Sequence, residues 1–229
     1  AGRRARAALA AAAALLALCP LAADAANAPR QSNPPPSFLA RPARARLLEV
    51  PKRAHKSFTF YSGPHEATVS KRPQETMRHV LMKVLLWSLN VNDYSDLRVE
   101  APIGDRYTPD CVALEPPDSA SVAFWGECGR VDMAKVASLA ARYPQARLAF
   151  CKWDINPAGF AAQVAGVVAA PRRASGLDPE AFGPVEVLAF PEDSDLRFFT
   201  RAEQSSGPEA YEVRVDPGAV HTLQVWPPP

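Results

Sequence analysis

Three acidic residues occupy positions where a carboxylate could take part in chemistry. Glu75 opens a predicted helix, Asp110 stands within a predicted strand, and Glu127 lies near the end of the next strand. Apolar neighbours predict that Asp110 and Glu127 lie in a buried sheet, where an unpartnered carboxylate is strongly disfavoured. The two carboxylates are therefore expected to face basic side chains or to share a cation. Oxygen ligands of this kind suit Mg²⁺ or Mn²⁺, and such an ion could activate a water and stabilise a phosphoryl oxygen.

Each of these residues also has a purely structural interpretation. Asp110 could accept a hydrogen bond from a turn amide at the entry to its strand. Glu127 and Glu75 could each stabilise the N-terminus of the helix that follows, because acids favour that end of the helix dipole. His79 follows Glu75 by four residues on the same helical face and could join the site, although a single histidine there is more often a surface or core residue.

The hydrophobic periodicity predicts the elements that must position these acids. Strand-like alternation and apolar runs alternate with helical spacing of apolar residues, which indicates an α/β sandwich with a mixed sheet. Predicted helices cover residues 74–89, 131–142 and 158–170. Predicted strands cover residues 57–61, 67–69, 97–100, 107–114, 121–128, 147–153, 185–190, 211–215 and 220–226.

The order of the acids and elements resembles a known nuclease core. Pro109 and Asp110, then Glu127 on the next strand, then a helix, are similar to the PD-(D/E)xK superfamily. Further segments resemble the YaeQ family within it: 72–76 running into 85–87, 125–129 and 149–150. The resemblance covers about residues 56–153. It implies a restriction-endonuclease-like α/β/α sandwich with a central mixed four-stranded sheet plus added strands.

One residue departs from the pattern of this superfamily. The motif places a lysine two residues after the second acid, and this chain has Gly129 there. A lysine at that point would position the attacking water or offset charge in the transition state. Lys135 on the following helix is the first candidate to replace it, and Lys152 on the third strand is the second. Arg106 and Arg130 flank the acids and are candidates for binding phosphate, as is Lys152, or for pairing with the acids.

The resemblance implies two alternative functions. The first is a Mg²⁺- or Mn²⁺-dependent nuclease or phosphodiesterase, in which Asp110 and Glu127 hold the metal, Glu75 assists and Lys135 is the displaced lysine. Its substrate would be nucleic acid bound by a local basic patch. The second is a non-catalytic module that keeps the fold and binds a protein or nucleic acid. An ammonium of Lys135 within hydrogen-bond reach of the two acids favours the first, and a Lys135 that points to solvent favours the second.

Charge and composition divide the chain into a leader and a folded part. The 229 residues are 48% hydrophobic and 22% charged, which suits a packed globular domain. Residues 1–55 hold nine Lys and Arg against two acids, whereas residues 56–229 have a net charge of −5. We therefore assign 1–55 to a leader and 56–229 to the YaeQ-like domain, which is not a globally basic nucleic-acid-binding domain.

The leader has features of a targeting peptide. Arginines precede an Ala- and Leu-rich run and continue past it, which slightly favours an organelle such as a mitochondrion or plastid. The alternatives are a secretory signal and a disordered Ala/Arg/Pro tail. No run of 18 or more apolar residues occurs, so no membrane-spanning segment is predicted.

Two cysteines directly follow the two strand acids. Strand alternation predicts that Cys111 and Cys128 lie on the opposite face of the sheet from the acids, with Cys151 nearby. Buried free thiols are the favoured interpretation, since such cysteines are common in protein cores. In a secreted protein a disulfide between two of them would be an alternative.

Overall fold

The computed structural model describes residues 47–117, 119–203 and 209–227 of the chain. The helices within these ranges are α1 (Met77–Asn90), α2 (Met133–Arg142), α3 (Ala158–Ala174) and α4 (Ser194–Arg197). The strands are β1 (Lys56–Ser62), β2 (His65–Lys71), β3 (Arg98–Val99), β4 (Cys111–Leu114), β5 (Val122–Cys128), β6 (Arg147–Trp153), β7 (Val185–Phe190), β8 (Phe199–Arg201), β9 (Ala210–Val213) and β10 (His221–Trp226).

The strands form two sheets. The large sheet has the order β10-β7-β6-β5-β4-β3, and the small sheet has the order β2-β1-β9-β8. In the large sheet β5, β6 and β7 are parallel, whereas β4 runs antiparallel to β5 and β10 runs antiparallel to β7. The large sheet is therefore mixed, as the sequence predicted, with β4 to β7 at its centre and β3 and β10 at its edges.

Helices cover both faces of the large sheet. One core cluster joins α1 to one face of the large sheet and also to the small sheet, through residues such as Leu81, Cys111 and Phe60. A second cluster joins α2 and α3 to the opposite face, through residues such as Leu139, Val164 and Trp125. The predicted α/β/α sandwich is confirmed, and the small sheet adds a further layer over α1.

Helix α1 is enclosed by protein on almost all sides. Val80, Leu81, Val84, Leu85 and Leu86 are fully buried, because the helix has one sheet on each side of it. The sequence of such a helix is apolar on nearly all of its faces rather than amphipathic. Within the described residues, no helix is long and apolar enough to cross a membrane.

Helix α1 begins later than its hydrophobic pattern predicted. Thr76 is the N-cap, with extended backbone angles, and its side-chain oxygen accepts a hydrogen bond from the amide of His79. Gln74 has a φ of 72°, which is incompatible with a right-handed helix. Glu75 therefore lies before the cap, and the expectation that it sits in the first turn is corrected.

Strand β4 is shorter than the predicted strand 107–114. The Asp105 side chain accepts a hydrogen bond from the amide of Tyr107 and thereby holds a turn at the start of this segment. Regular strand begins at Cys111, and Asp110 is the residue directly before it. The amide of Asp110 still donates to Gly126 O on β5 at 3.1 Å, so Asp110 stays in register with the neighbouring strand.

The described fold extends before residue 56, into the segment assigned to the leader. A 3₁₀ helix spans Leu47–Glu49, and Leu47 is 2% exposed within the core cluster of α1. The buried ammonium of Lys71 donates to Lys52 O at 2.7 Å and to Ala54 O at 2.9 Å. Residues 47–55 therefore pack with the domain, and the rest of the predicted leader lies outside the described residues.

Candidate functional site

Two of the predicted carboxylates meet at one end of the central strands of the large sheet, where β5 ends and β4 begins. Glu127 is the penultimate residue of β5, and Asp110 lies directly before β4. Cys111 pairs with Gly126 across the two antiparallel strands, so the next position along the ladder sets Asp110 opposite Glu127. The C-terminal end of β6 lies at the same end of the sheet, because β5 and β6 are parallel.

The Asp110 carboxylate is held in place by one backbone amide and one imidazole. Its Oδ2 accepts a hydrogen bond from the amide of Cys128 at 2.7 Å and lies 3.4 Å from His79 Nε2. The Asp110 side chain is 15% exposed. Its other oxygen, Oδ1, accepts no hydrogen bond from any residue in the described part of the chain.

Both oxygens of the Glu127 carboxylate have partners on the α2 side of the large sheet. Trp125 Nε1 donates to Oε1 at 2.7 Å, and Lys135 Nζ donates to Oε2 at 2.6 Å. Trp125 and Glu127 share a face because they are two residues apart on β5. Burial, reinforced by the charge of Asp110, raises the pKa of Glu127 despite the opposing effect of Lys135. The α2 lysine thus reaches Glu127, one member of the acid pair, from outside the usual motif position.

Glu75 belongs to a second group of charges on the α1 side. Its Oε1 accepts from the ammonium of Lys83 and lies 3.0 Å from His79 Nδ1, and its Oε2 accepts from the amide of Arg72 at 3.0 Å. Burial opposes ionisation of Glu75, but the hydrogen bonds from His79 and Lys83 outweigh it and lower the pKa of Glu75 to about 2. Glu75 is therefore a firmly ionised acid that reaches Asp110 only through His79.

His79 bridges two carboxylates. Nδ1 faces Glu75 and Nε2 faces Asp110, so both ring nitrogens can donate only when the imidazole carries a charge. Burial disfavours that charge, but the hydrogen bonds to Asp110 and Glu75 prevail and raise the pKa of His79 to about 9. His79 is accordingly an imidazolium at neutral pH in this arrangement.

Lys83 closes the α1 side of the network. Its ammonium is fully buried and also donates to Glu100 Oε1 at 2.8 Å. We call the five residues Glu100, Lys83, Glu75, His79 and Asp110 the acid ladder. Sequence reasoning missed Lys83 and Glu100, and it left open whether His79 joins the site or is a surface or core residue. The available signal was spacing, because residues 75, 79 and 83 are four apart and Lys83 interrupts an otherwise apolar run.

The remaining candidate cations lie around α2. Arg106 donates to Ser138 Oγ at 2.7 Å and lies 4.5 Å from the centre of the Tyr107 ring. Lys152 donates to Gly129 O and lies 3.6 Å from the centre of the Phe160 ring. These positions bring Lys152 to the backbone of the residue that replaces the motif lysine.

Arg130 is exposed on the connection between β5 and α2, and no ion pair or hydrogen bond links its side chain to another described residue. It therefore does not pair with the acids of the site. Arg106 also makes no ion pair with an acid among the described residues, so neither arginine neutralises Asp110 or Glu127.

Two solved structures are similar to this chain. The YaeQ protein of Pseudomonas syringae matches with 14% identity and a TM-score of 0.45, over 74% of this chain and 93% of its own. The YaeQ protein of Xanthomonas axonopodis pv. citri matches with 13% identity and a TM-score of 0.45, over 74% of this chain and 89% of its own. The chain is similar to YaeQ proteins. No protein-family model and no curated protein matches the sequence.

The metal expected from the two strand carboxylates can be compared with the donors present. In the described ranges no three His, Cys, Asp or Glu side chains are close enough together to hold an ion. Two carboxylates nevertheless suit Mg²⁺, which usually keeps several waters and binds one or two protein carboxylates with substrate phosphates. Asp110 offers the unpartnered Oδ1, and Glu127 offers Oε2 in competition with Lys135. The donor set therefore fits a hard cation bound by two carboxylates and water.

The three described cysteines lie on the α1 face of the large sheet, as predicted. Cys111, Cys128 and Cys151 are buried and free, and Cys128 pairs in register with Cys151. Burial raises the pKa of Cys111 and Cys128 well above the usual range. The thiols of Cys111 and Cys128 are therefore protonated, all three cysteines are core residues, and Cys19 lies outside the described residues.

Proposed function

We propose that this protein is a Mg²⁺- or Mn²⁺-dependent phosphodiesterase that acts on nucleic acid. The observation that carries the proposal is the Lys135 ammonium 2.6 Å from the Glu127 carboxylate, which stands opposite Asp110 at the same end of the large sheet. Two facing carboxylates can hold a divalent ion, and an ammonium beside them can offset negative charge in the transition state of phosphodiester hydrolysis. Here the ammonium comes from α2 rather than from β5.

Each residue of the site has a distinct part in this proposal. A bound divalent ion would polarise the phosphodiester and lower the pKa of a water. Asp110 and Glu127 would hold the ion, and the Cys128 amide and the His79 imidazolium keep the Asp110 carboxylate oriented. Trp125 orients Glu127 in the same way through its indole N–H. The Lys135 ammonium is placed to offset negative charge on a phosphoryl oxygen.

A basic patch beside the site supports a polyanionic substrate. The cations of Arg106, Lys135 and Arg142 lie 4.5, 5.0 and 5.5 Å from the centre of the Tyr107 ring. Asp105 pairs with Arg142 and Glu127 pairs with Lys135, whereas Arg106 bonds only to a hydroxyl and is the cation of the patch that no described acid neutralises. A local patch of this kind attracts phosphates even though residues 56–229 are acidic overall.

One observation favours the alternative of a non-catalytic binding module. Both oxygens of Glu127 already accept hydrogen bonds from the protein, so the carboxylate is satisfied without an ion. In that case Lys135 and Glu127 form a structural ion pair, and the basic patch alone binds a nucleic acid or a protein. The two functions differ in whether a divalent ion binds at Asp110 and Glu127.

Calorimetric titration of the full chain with Mn²⁺ distinguishes them. We expect one site in the wild type, and its loss in both Asp110→Asn and Glu127→Gln, because each substitution removes a charged ligand but keeps the shape of the side chain. Glu212→Gln is the matched control, since this acid pairs with Arg214 on the exposed surface. Absence of Mn²⁺ binding in a folded wild type would favour the binding module.

Lys135→Met separates metal binding from chemistry. Removing the ammonium frees Glu127 Oε2, so Mn²⁺ affinity should stay the same or increase. Hydrolysis of single-stranded DNA should nevertheless fall by about 100-fold, the usual loss when a charge-stabilising donor is removed. A variant that retains full activity would show that Lys135 serves only as a partner for Glu127.

A further inference from the structure

A cavity beside the proposed site is not explained by the metal chemistry. It measures about 750 Å³ and is lined by Arg130, Val131, Asp132, Met133, Lys152, Phe160 and Gln163. We call it the β5–α2 cavity, because the connection between these two elements forms one of its walls. Its size lies in the range of sites that hold a small organic ligand.

Lys152 gives the β5–α2 cavity a cation with an unused donor. The side chain is partly buried, and its ammonium bonds to Gly129 O and lies 3.6 Å from the Phe160 ring centre. No described acid lies within ion-pair distance of it. An ammonium has three N–H groups, so at least one remains for a ligand beyond those that face Gly129 O and the Phe160 ring. A partly desolvated cation without an acid partner favours binding of an anion.

Arg130 adds a second cation without an acid partner among the described residues, and it is exposed to solvent. Asp132 is the acid in the lining, and its Oδ1 is engaged in capping α2 through the amide of Ala134 at 3.0 Å. The cations thus outnumber the acid. Val131, Met133 and Phe160 supply an apolar wall, and Gln163 supplies an amide that can donate and accept.

The segments that line the β5–α2 cavity lie next in sequence to residues of the proposed site. Gly129, whose carbonyl holds Lys152, comes two residues after Glu127. Met133 in the wall comes two residues before Lys135 on α2. A strand whose scissile phosphate lies at Asp110 and Glu127 would therefore bring its neighbouring nucleotide to this cavity.

We propose that the β5–α2 cavity binds the terminal nucleoside monophosphate of a nucleic-acid strand, with Lys152 and Arg130 holding the phosphate. Two cations match the double charge of a phosphomonoester better than the single charge of an internal phosphodiester, and the apolar wall and Gln163 provide for a base. This proposal rests on the proposed function in that the strand end is delivered to the same site. It adds that the enzyme recognises strand ends.

Fluorescence anisotropy on the full chain in EDTA tests this without metal or cleavage. The probes are a short single-stranded DNA with a 5′-phosphate, the same strand with a 3′-phosphate, and the same strand with neither. We expect one phosphorylated strand to bind about tenfold more tightly than the unphosphorylated strand, the size of one charge-assisted contact. The preferred end identifies the orientation of the strand.

Lys152→Met and Arg130→Met should each reduce this preference to about twofold or less, since each removes one phosphate contact. Arg130 is exposed, so Arg130→Met should fold and can still test the proposal if Lys152→Met does not fold. Arg214→Met is the matched control, because Arg214 directly follows β9 and is exposed. This variant should keep the wild-type preference for the phosphorylated strand. Adenosine monophosphate should compete for the phosphorylated strand in the wild type.

Equal binding of the three strands by the wild type would overturn the proposal. So would a preference that persists in both Lys152→Met and Arg130→Met. A preference for phosphorylated ends in a protein that binds no Mn²⁺ would leave this cavity intact as a phosphate site and remove the proposed catalytic function. Mn²⁺ binding without any preference for phosphorylated ends would support the proposed catalytic function and overturn the phosphate site in this cavity.

Discussion

The acid ladder depends on one buried ammonium. Lys83 is fully buried and donates to Glu75 and to Glu100, which are 10% and 19% exposed. Burial opposes the charge of Lys83, but the two carboxylates outweigh it and raise its pKa. Without this ammonium, two acids would face each other in a poorly hydrated space. Lys83 therefore serves to keep Glu75 ionised and in contact with His79.

Substituting Lys83 by Met should destabilise the protein by about 3 kcal/mol, because removing one partner of a buried ion pair leaves uncompensated charge. Urea denaturation near neutral pH measures the effect. Lys56→Met is the matched control, since Lys56 pairs with Glu209 at 2.6 Å but is 40% exposed. Its loss should change stability by less than about 1 kcal/mol. Equal effects of the two substitutions would contradict the assigned role of Lys83.

Glu75 should make stability depend on acid pH. Its folded pKa is about 2 and its ordinary value is 4.5, so the folded state holds the ionised form. A depressed acid contributes stability that is fully present above the ordinary pKa and is lost as the pH falls through the folded pKa. The stability difference between the wild type and Glu75→Gln should therefore shrink from about pH 5 to about pH 2.

Urea midpoints at a series of pH values measure this difference. Glu209→Gln is the control, because Glu209 belongs to the partly exposed pair with Lys56. Its difference from the wild type should stay small throughout. A Glu75→Gln difference that is constant over this range would show that Glu75 is not preferentially ionised in the folded state.

Residue types alone indicated one half of the candidate site. Glu127 and Lys135 are eight residues apart across a predicted strand and helix, so the sequence could suggest that they meet. Glu100 and Lys83 could not be joined in this way. Their contact depends on how α1 packs on the large sheet, which no local spacing specifies. The exact start of α1, and hence the place of Glu75, depends on the Thr76 cap.

At the scale of elements, the two faces of β5 differ in what they contact. Trp125 and Glu127 point toward α2, whereas Phe124 and Cys128 belong to the core around α1. Gly126, between them, faces α1. A Cβ built there would overlap Leu86 Cδ2 and lie 3.2 Å from the Phe124 ring. The close approach of α1 to β5 therefore requires a residue without a side chain at this position.

Gly126→Ala should destabilise the protein by about 1–3 kcal/mol through overpacking of the core. Thermal or urea unfolding measures it. Gly166→Ala on α3 is the matched control, because a Cβ there meets nothing within 4 Å and the residue is exposed in a helix. That substitution should be neutral or stabilise by up to about 1 kcal/mol. A neutral Gly126→Ala would mean that α1 can move away from β5.

Prediction of the elements succeeded where burial was continuous. The bounds of β6 and β7, Arg147–Trp153 and Val185–Phe190, coincide with the predicted strands, because both strands are covered on two faces and are apolar at most positions, with Lys152 and Glu186 as the interruptions inside them. The short elements α4 and β8 were missed. Their segment, 194–201, is too short for a period to emerge, and β8 is defined by its pairing with β9.

At the scale of the whole molecule, the two sheets form a layered structure around α1. The sequence indicated one mixed sheet with helices on its faces. It did not assign strands 57–61, 67–69 and 211–215 to a second sheet. Those strands form the small sheet, in which β1 pairs in parallel with β9 from the far end of the chain. Pairing between distant segments is not encoded in local periodicity, so the pairing of β1 with β9, which completes the second sheet, could not be predicted.

The enclosure of α1 has a consequence for the dynamics of the site. Amide protons exchange with solvent through local opening, and the free energy of opening is highest for elements packed on all sides. The central turns of α1 lie between two sheets, so their exchange requires opening of the whole domain. Lys83 belongs to these central turns, whereas His79 lies in the first turn beside the Thr76 cap. The contacts of Lys83 with Glu75 and Glu100 should therefore persist as long as the fold itself, and the slowest-exchanging amides of the chain should report on their lifetime.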